Sequence, residues 1–343
     1  MHMDDAIYAD ESIYEYPMQQ GGGNDGRPYS FGRPSSGGSK AAYPCKSYGQ
    51  GRINPAYFYG VFDPNDMRRD VSITMTGSNG KGVEKLIPFV PNSKAEGGGL
   101  TLNKWDENRQ ANPWVAAQRK SGINGPYMRM SEVYLGYAEV CAALGDVVTG
   151  KQYLKTVRER SFPQGLANTD AFIASFGNDL VRAIIEERGF EYAGEGDRRW
   201  TLIRSGYLPE DIKRIKDMTK AMMDGLATKG YYEFENGNII SAYIWTKLVD
   251  AKTIYGHRLT AQCPTDKVND PVLYPGWRGQ KDNWEEMGLN YGSSTPATNL
   301  AIKGLFEIVS EEEAASLESQ GYTKVNWGID LVDNRDEYED RKS

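Results

Sequence analysis

"RMSEVYLGYAEVCAALGD", residues 129–146, decides how the rest of this chain is read. Met130, Val133, Tyr134, Tyr137, Cys141 and Leu144 recur at intervals of three and four, an apolar stripe along one helix face. Gly136, Ala138, Ala142 and Ala143 would let a neighbouring helix come close, and Gly145 is a natural stop. A second helix is expected from Thr149 to Arg160, with Tyr153, Leu154 and Val157 on its inner side. Two amphipathic helices joined by a short loop make an αα-hairpin of tetratricopeptide type. One such pair is visible, whereas repeat arrays need about three, so partner repeats are expected elsewhere, upstream included.

Working downstream, a third helix is expected over Thr169 to Tyr192, burying Leu180, Val181, Ile184 and Ile185. Glu187, Glu191 and Glu195 would repel one another along one side, and the nearby Arg182, Arg188, Arg198, Arg199 and Arg204 are expected to offset them. A helix over 208–228 follows, with Met218, Met222 and Met223 as core filler. Residues 230–300 read as irregular and rich in Tyr and Trp, and the charged tail after about 330 as frayed.

Upstream, Ile13–Tyr16 reads as a short strand, followed by a Gly/Ser/Pro-rich stretch at 19–40 that cannot hold regular structure without external support. Asp63 before Pro64 suggests a helix cap, Val71–Met75 a strand, and "EKLIPFV" at 84–90 another. The expected fold class is therefore mainly α: a tetratricopeptide-type hairpin scaffold with long aromatic-rich loops and a few short strands. A single domain over 4–330 would comprise a loop-rich segment (4–126), the helical scaffold (127–228), and a loop-rich insert with the C-terminal segment (229–330).

The 343 residues suffice for one large domain or two ordinary ones. A net charge of −7 with no basic stripe argues against a nucleic-acid partner. His2 and His257 are too few for a histidine-rich metal centre, and Cys45, Cys141 and Cys263 lack metal-ligand spacing, so no metal or cofactor is expected. No run of about 18 apolar residues could span a membrane as a helix, and no apolar signal segment opens the chain. The opening Met1, His2 and Met3 resemble a cloning remnant, which again leads us to expect upstream sequence.

Catalytic chemistry finds little support. Glu186, Glu187, Glu191 and Glu195 could supply the acid and base of a glycosidase. Arginines around them would lower the carboxyl pKa and spoil a general acid, so an ion network is the stronger expectation. His257 in "TIYGHRLTAQ" has no triad motif around it, and the glycine triplets at 21–23 and 97–99 lack the rest of a phosphate loop. Asp63, Asp66 and Asp70 suit turns and caps better than a metal. Aromatics are the better functional signal, because sugar rings stack their apolar faces on indole or phenol. Tyr48, Tyr57, Trp105, Trp114, Tyr274, Trp277 and Trp284, in loop-like stretches beside Gly, Asn or Asp, are the candidate ligand contacts. Tyr43, Tyr59 and Tyr291 share that setting.

Several motifs, in order, carry a resemblance. "DESIYEYPM" at 10–18 resembles a strand of the form E-S-I/V-aromatic-E, and Asp66-Met67-Arg68 an Asp-x-Arg segment. Arg129, Glu132, Tyr134, Leu135, Tyr137, Ala138 and Glu139 match R-x-x-E-x-Y-L-x-Y-A-E in register. Glu187, Arg188, Glu191, Glu195, Gly196, Arg198 and Arg204 match a downstream Glu/Arg pattern, in which Thr201 stands where Asp is usual. Over residues 5–310 the chain resembles the C-terminal half or more of the SusD/RagB-like family. The resemblance implies a non-catalytic component that binds oligosaccharide or polysaccharide and delivers it to a SusC-like TonB-dependent β-barrel. It also implies a lipid-anchored, surface-facing place at the outer membrane of Bacteroidetes, and a purely architectural role for the Glu/Arg motifs. The family's lipoprotein signal and N-terminal repeats have no counterpart here, and its sugar contacts vary, so none is carried over to single residues. Two alternatives stand beside it: a protein-interaction or structural subunit of an uptake complex, and a glycoside hydrolase with two carboxylates about 5–10 Å apart across a cleft.

Overall fold

The computed structural model describes residues 10–19, 21–22, 31, 51–78, 84–87, 100–105, 122–162, 165–250 and 298–328. In chain order the helices are α1 (Pro55–Gly60), α2 (Met67–Ser72), α3 (Met130–Ala143), α4 (Val147–Glu159), α5 (Thr169–Ala174), α6 (Leu180–Glu191), α7 (Asp197–Ser205), α8 (Leu208–Lys229) and α9 (Glu311–Ser319). Strands are β1 (Ser12–Tyr16), β2 (Ile73–Thr74), β3 (Thr76–Ser78), β4 (Glu84–Leu86), β5 (Thr101–Leu102), β6 (Gly125–Arg129), β7 (Tyr231–Glu233), β8 (Ile239–Ser241), β9 (Tyr243–Asp250), β10 (Thr298–Lys303) and β11 (Thr323–Asn326). They pair as two-stranded antiparallel ribbons, apart from one three-stranded sheet ordered β10-β9-β11. The fold is mainly helical with short strands and, among the described residues, no closed sheet. No described helix is long and apolar enough to cross a membrane.

The expected hairpin is α3–α4. Asp146 caps α4 by accepting the Thr149 N–H at 3.1 Å. Gly145 makes the turn at φ +88°, a conformation that side chains resist. The helices approach closely where Gly150 faces α3: a Cβ there would stand 3.0 Å from the Ala138 carbonyl oxygen and 3.2 Å from the Ala142 nitrogen.

The rotation of α3 differs from the expected stripe. Ser131, Leu135, Ala138 and Cys141 are buried, whereas Val133, Tyr137, Val140 and Leu144 face outward. A polar anchor sets this phase. The Ser131 hydroxyl accepts from Arg129 at 2.8 Å and lies 3.0 Å from the Tyr192 hydroxyl, pulling position 131 inward. Leu135 and Ala138, four and seven residues on, follow it. Gly136, by contrast, has open space where its side chain would be.

Three further expectations change. The helix over Thr169–Tyr192 is two helices: Gly177 and Asn178 both sit at φ +65°, breaking the first, and Asp179 starts the second by accepting the Arg182 N–H. Val71 belongs to α2 rather than to a strand, and Asp66, not Asp63, caps that helix by accepting the Arg68 N–H at 3.0 Å. Residues 230–250 and 298–303 are not irregular. Gly237 at φ +82° turns β7 into β8, and β9 pairs with β10 from Trp245–Lys303 to Asp250–Thr298. β-branched and aromatic residues such as Ile240, Ile244, Trp245 and Ile302 are buried in these strands. The 208–228 helix stands as expected, with Met222 and Met223 in the core.

Two apolar cores result. One gathers Phe58, Tyr59, Phe62, Met222, Leu226, Phe234, Ile244 and Trp327, and the other gathers Leu135, Leu154, Val157, Ile184 and Tyr192. Helix α6 reaches both, through Phe190 and through Leu180, Ala183 and Ile184. Gly136→Ala should raise stability by about 0.5–1 kcal/mol, since helix propensity improves with nothing to clash against. Gly150→Ala should lower it, because main-chain atoms of α3 would have to move. Urea unfolding of the two variants beside the parent checks both signs.

Candidate functional site

Helix α6 carries the charged residues that sequence reading singled out, and almost all of it is buried. Its two sides serve different ion clusters.

On one side, Glu187 and Glu191 lie four residues apart and therefore on one face, with Glu195 just beyond the helix. The fully buried Glu187 takes Arg68 Nη1 at 2.6 Å and Arg158 Nη1 at 2.9 Å. Glu191 takes Arg129 and Arg160 at 2.6 Å each and Arg68 at 3.1 Å. Arg129 also reaches Glu195 at 2.9 Å and Glu11 at 3.1 Å; Lys104 pairs with Glu195 and donates to the Glu191 carbonyl at 2.7 Å. Asp66 holds Arg68 at 2.7 Å. Five carboxylates (Glu11, Asp66, Glu187, Glu191, Glu195) thus face five cations (Arg68, Lys104, Arg129, Arg158, Arg160), and Asp63 adds a looser contact to Arg158 at 3.9 Å. Aromatic faces cover the guanidinium groups, with Arg158 3.8 Å from the Phe172 centroid and Arg129 4.7 Å from that of Tyr192.

These partners differ from the expected ones. Arg182 and Arg198 serve Glu186, Arg188 holds Asp197 at 2.5 Å, Arg204 holds Glu139 at 2.5 Å, and Arg199 is exposed. Helical periodicity explains the change: Glu187 and Glu191 point towards α2, β6 and the end of α4, away from the arginines that follow α6. Thr201 fits its substituted position, as its hydroxyl donates to Asp197 at 2.8 Å and accepts from Arg188 at 3.3 Å.

On the other side of α6, Glu186 takes Arg182 at 3.0 Å, Arg198 at 2.9 Å and Arg214 at 3.4 Å. Asp211 shares Arg198 at 3.1 Å and Arg214 at 2.6 Å. Tyr57 is half-buried against this cluster. Burial pushes its hydroxyl up to about 12, with Arg198 opposing and Glu186 and Asp211 adding.

Electrostatics make Glu191 and Glu11 poor proton donors. Burial pushes Glu191 up, but Arg129, Arg160, Arg68 and Lys104 outweigh it and hold the carboxyl well below the usual carboxylate range. Burial likewise raises Glu11, and Arg160 with Arg129 overturns that into a net lowering. A general acid at neutral pH needs the opposite shift. Among the described residues, no three or more His, Cys, Asp or Glu side chains form a metal-binding group.

Two of the seven aromatic candidates fall within the described residues. Trp105 is 3 % exposed and gives its indole N–H to the Gly194 carbonyl at 3.2 Å, which anchors the segment before 106 to the loop after α6. Tyr57 packs edge-to-face on Phe62, with centroids 5.7 Å apart. Tyr59, in a similar sequence setting, is fully buried and donates to the Leu305 carbonyl at 3.0 Å. Tyr48, Trp114, Tyr274, Trp277 and Trp284 lie outside the described residues, as do Tyr43, Tyr291 and His257. Sequence reading passed over the outward tyrosines of the β1–β6 ribbon, Tyr14, Tyr16 and Tyr127. Their signal was a strand pattern, which does not say which face stays open.

The sequence model of the SusD family matches residues 6–275, more than half of the chain. This chain belongs to the SusD family. Of its Glu/Arg motifs, Arg129, Glu187, Glu191, Glu195 and Arg198 lie in the two ion clusters around α6, while Arg188 and Arg204 pair with Asp197 and Glu139. Among curated relatives, the SusD-like protein P25 of Formosa agariphila is 28% identical over 160 residues, which cover 46% of this chain and 26% of that protein. Among solved structures, surface glycan-binding protein A from Bacteroides thetaiotaomicron is 19% identical over 60% of this chain and 44% of its own, with a TM-score of 0.42. A SusD superfamily protein from Bacteroides fragilis is 21% identical over 56% and 40%, with a TM-score of 0.39. This SusD-family chain thus spans about a quarter of the curated relative and less than half of each of these structures.

Glu191→Gln should destabilise the fold by about 3–5 kcal/mol, because three guanidinium groups lose a buried partner. Glu139→Gln, which breaks a partly exposed pair with Arg204, should cost under about 1 kcal/mol. Chemical denaturation compares them. The lowered Glu191 and Glu11 carboxyls also set a pH dependence. Their stabilisation is complete above the unfolded value of 4.5 and drains away as pH falls towards the folded values. Thermal unfolding midpoints should therefore drop steeply below about pH 4.5, and by less in Glu191→Gln.

Proposed function

We propose that this chain is a non-catalytic component that binds oligosaccharide or polysaccharide and passes it to a SusC-like TonB-dependent β-barrel. In this reading it works at the cell outer membrane, lipid-anchored and facing outward. The observation that carries the reading is SusD-family membership over residues 6–275. Supporting it, Glu186, Glu187 and Glu191 are each committed to arginines, which removes the carboxylates a glycosidase would have drawn from this helix. We take residues 4–330 as a single domain in which the ion clusters hold the scaffold and ligand contacts come from loops, with Tyr48, Trp114, Tyr274, Trp277 and Trp284 as candidates. Trp105 and Tyr57, packed into the scaffold, are better placed to support such loops than to stack on a sugar.

A second reading, as a protein-interaction subunit of an uptake complex, is favoured by one observation. Val133, Tyr137, Val140 and Leu144 form an outward apolar stripe on α3, with Leu144 82 % exposed.

Calorimetric titration against a panel of plant, host and microbial oligosaccharides separates the readings, with Trp114→Ala and Trp277→Ala beside the parent. Saturable binding weakened by either substitution is the expected outcome. A cooperatively folded parent that stays silent across the panel would favour the interaction reading.

A further inference from the structure

The β1–β6 ribbon leaves an unusual surface. Its two strands run antiparallel, with Tyr14 opposite Met128, Glu15 opposite Pro126 and Tyr16 opposite Gly125. Tyr127 is 77 % exposed, and Tyr14 and Tyr16 are both more than half exposed. Tyr14 and Tyr127 meet edge to face, with centroids 5.7 Å apart and planes at 82°. In that arrangement the edge of one ring meets the face of the other, and both residues stay more than half exposed.

We propose that Tyr14 and Tyr127 form a stacking platform for a neutral oligosaccharide. The inference rests on the glycan-binding reading above and adds a location to it. Three features favour this occupant. The first is charge: in a chain of net charge −7, the exposed side chains Ile13, Tyr14, Tyr16, Tyr127 and Met128 are all uncharged. The ribbon's carboxylate, Glu15, accepts from the Asn124 amide at 2.8 Å, so it is engaged within the protein.

The second feature is chemistry. The outward face of α3 is aliphatic apart from Tyr137, which suits another helix. The ribbon instead offers phenol rings, whose faces take the C–H face of a pyranose and whose hydroxyls exchange hydrogen bonds with sugar hydroxyls. The third is rigidity, since a platform that must be ordered on binding loses affinity. The ribbon is pinned at one end by Glu11, bonded to Arg129 at 3.1 Å and to Arg160 at 2.5 Å. Farther along, Asn124 accepts the Met18 N–H at 3.0 Å while it holds Glu15.

Calorimetry with neutral hexasaccharides (laminarihexaose, maltohexaose, cellohexaose and mannohexaose) tests the platform, using the parent, Tyr127→Ala, Tyr14→Ala, Tyr127→Phe and Leu144→Ala. The exposed side chains can be truncated with little effect on folding, and thermal unfolding of each variant verifies this. The expected result is binding by the parent to at least one sugar, weakened roughly tenfold in Tyr127→Ala and Tyr14→Ala, a loss of about 1.4 kcal/mol. Tyr127→Phe should keep most of the affinity, and Leu144→Ala all of it. Parent binding unchanged by the two alanine variants would overturn the platform and leave the glycan reading standing. A folded parent that binds none of the sugars, while the broader panel does find a ligand, would overturn the neutral-ligand assignment alone; silence on both would overturn both readings. Light scattering closes the remaining alternative: a parent dimer that Tyr127→Ala converts to monomer would make the ribbon a self-contact and overturn the proposal.

Discussion

Glu187 and Glu191 are charged groups with almost no access to water, and that condition organises what surrounds them. A carboxylate in such a place must be matched by cations and hydrogen bonds or become neutral. The matching cations come from three separate stretches, Arg68 on α2, Arg129 at the end of β6, and Arg158 with Arg160 at the end of α4, while Lys104 after β5 pairs with the adjoining Glu195. Each long side chain has limited reach, so the two carboxylates are satisfied only when all these stretches are in place. Buried ion pairs add little net stability compared with an apolar core of equal volume. Their larger effect here is on geometry, because an arrangement lacking one stretch strands a buried charge.

The same arrangement explains why a helix so rich in glutamate is chemically quiet. Cations on every side hold Glu191 ionised far below neutral pH, and Glu187 and Glu186 each have at least two arginine partners. Proton transfer needs a carboxyl that changes state near the working pH, and Glu191 does not. Glycine at 189 belongs to the same design. A Cβ there would stand 2.8 Å from Arg198 Nη1 and 3.2 Å from the Tyr57 hydroxyl, so a side chain at 189 would press on the second cluster.

Around this charged centre the outer surfaces differ in chemistry. Helix α3 turns valine, tyrosine and leucine outward because Ser131 and Arg129 fix its inner face to Tyr192 and Glu191. The neighbouring ribbon turns out tyrosine rings instead, while its Glu15 and Arg129 are engaged with Asn124 and the ion cluster. An aliphatic surface has only shape and dryness to offer a partner, whereas a phenol surface adds hydrogen bonding. Both are positioned by residues of the ion cluster, which links the buried charges to what the protein presents to its surroundings.

The helical class, the α3–α4 hairpin and the long α8 were legible in the order of residues alone, because three- and four-residue periodicity, Asp146, Gly145 and Pro209 act within one or two turns. That the α6 glutamates would be ion-paired was also legible, from the density of arginine nearby. Which arginines pair with them was not, because Arg68 lies 119 residues from Glu187 and Arg129 62 from Glu191, and local spacing says nothing about such distances. The face α3 buries, the burial of Trp105 and the exposure of Tyr127 were hidden for the same reason. Periodicity tells how side chains alternate along an element, but only packing against distant segments decides which side meets water.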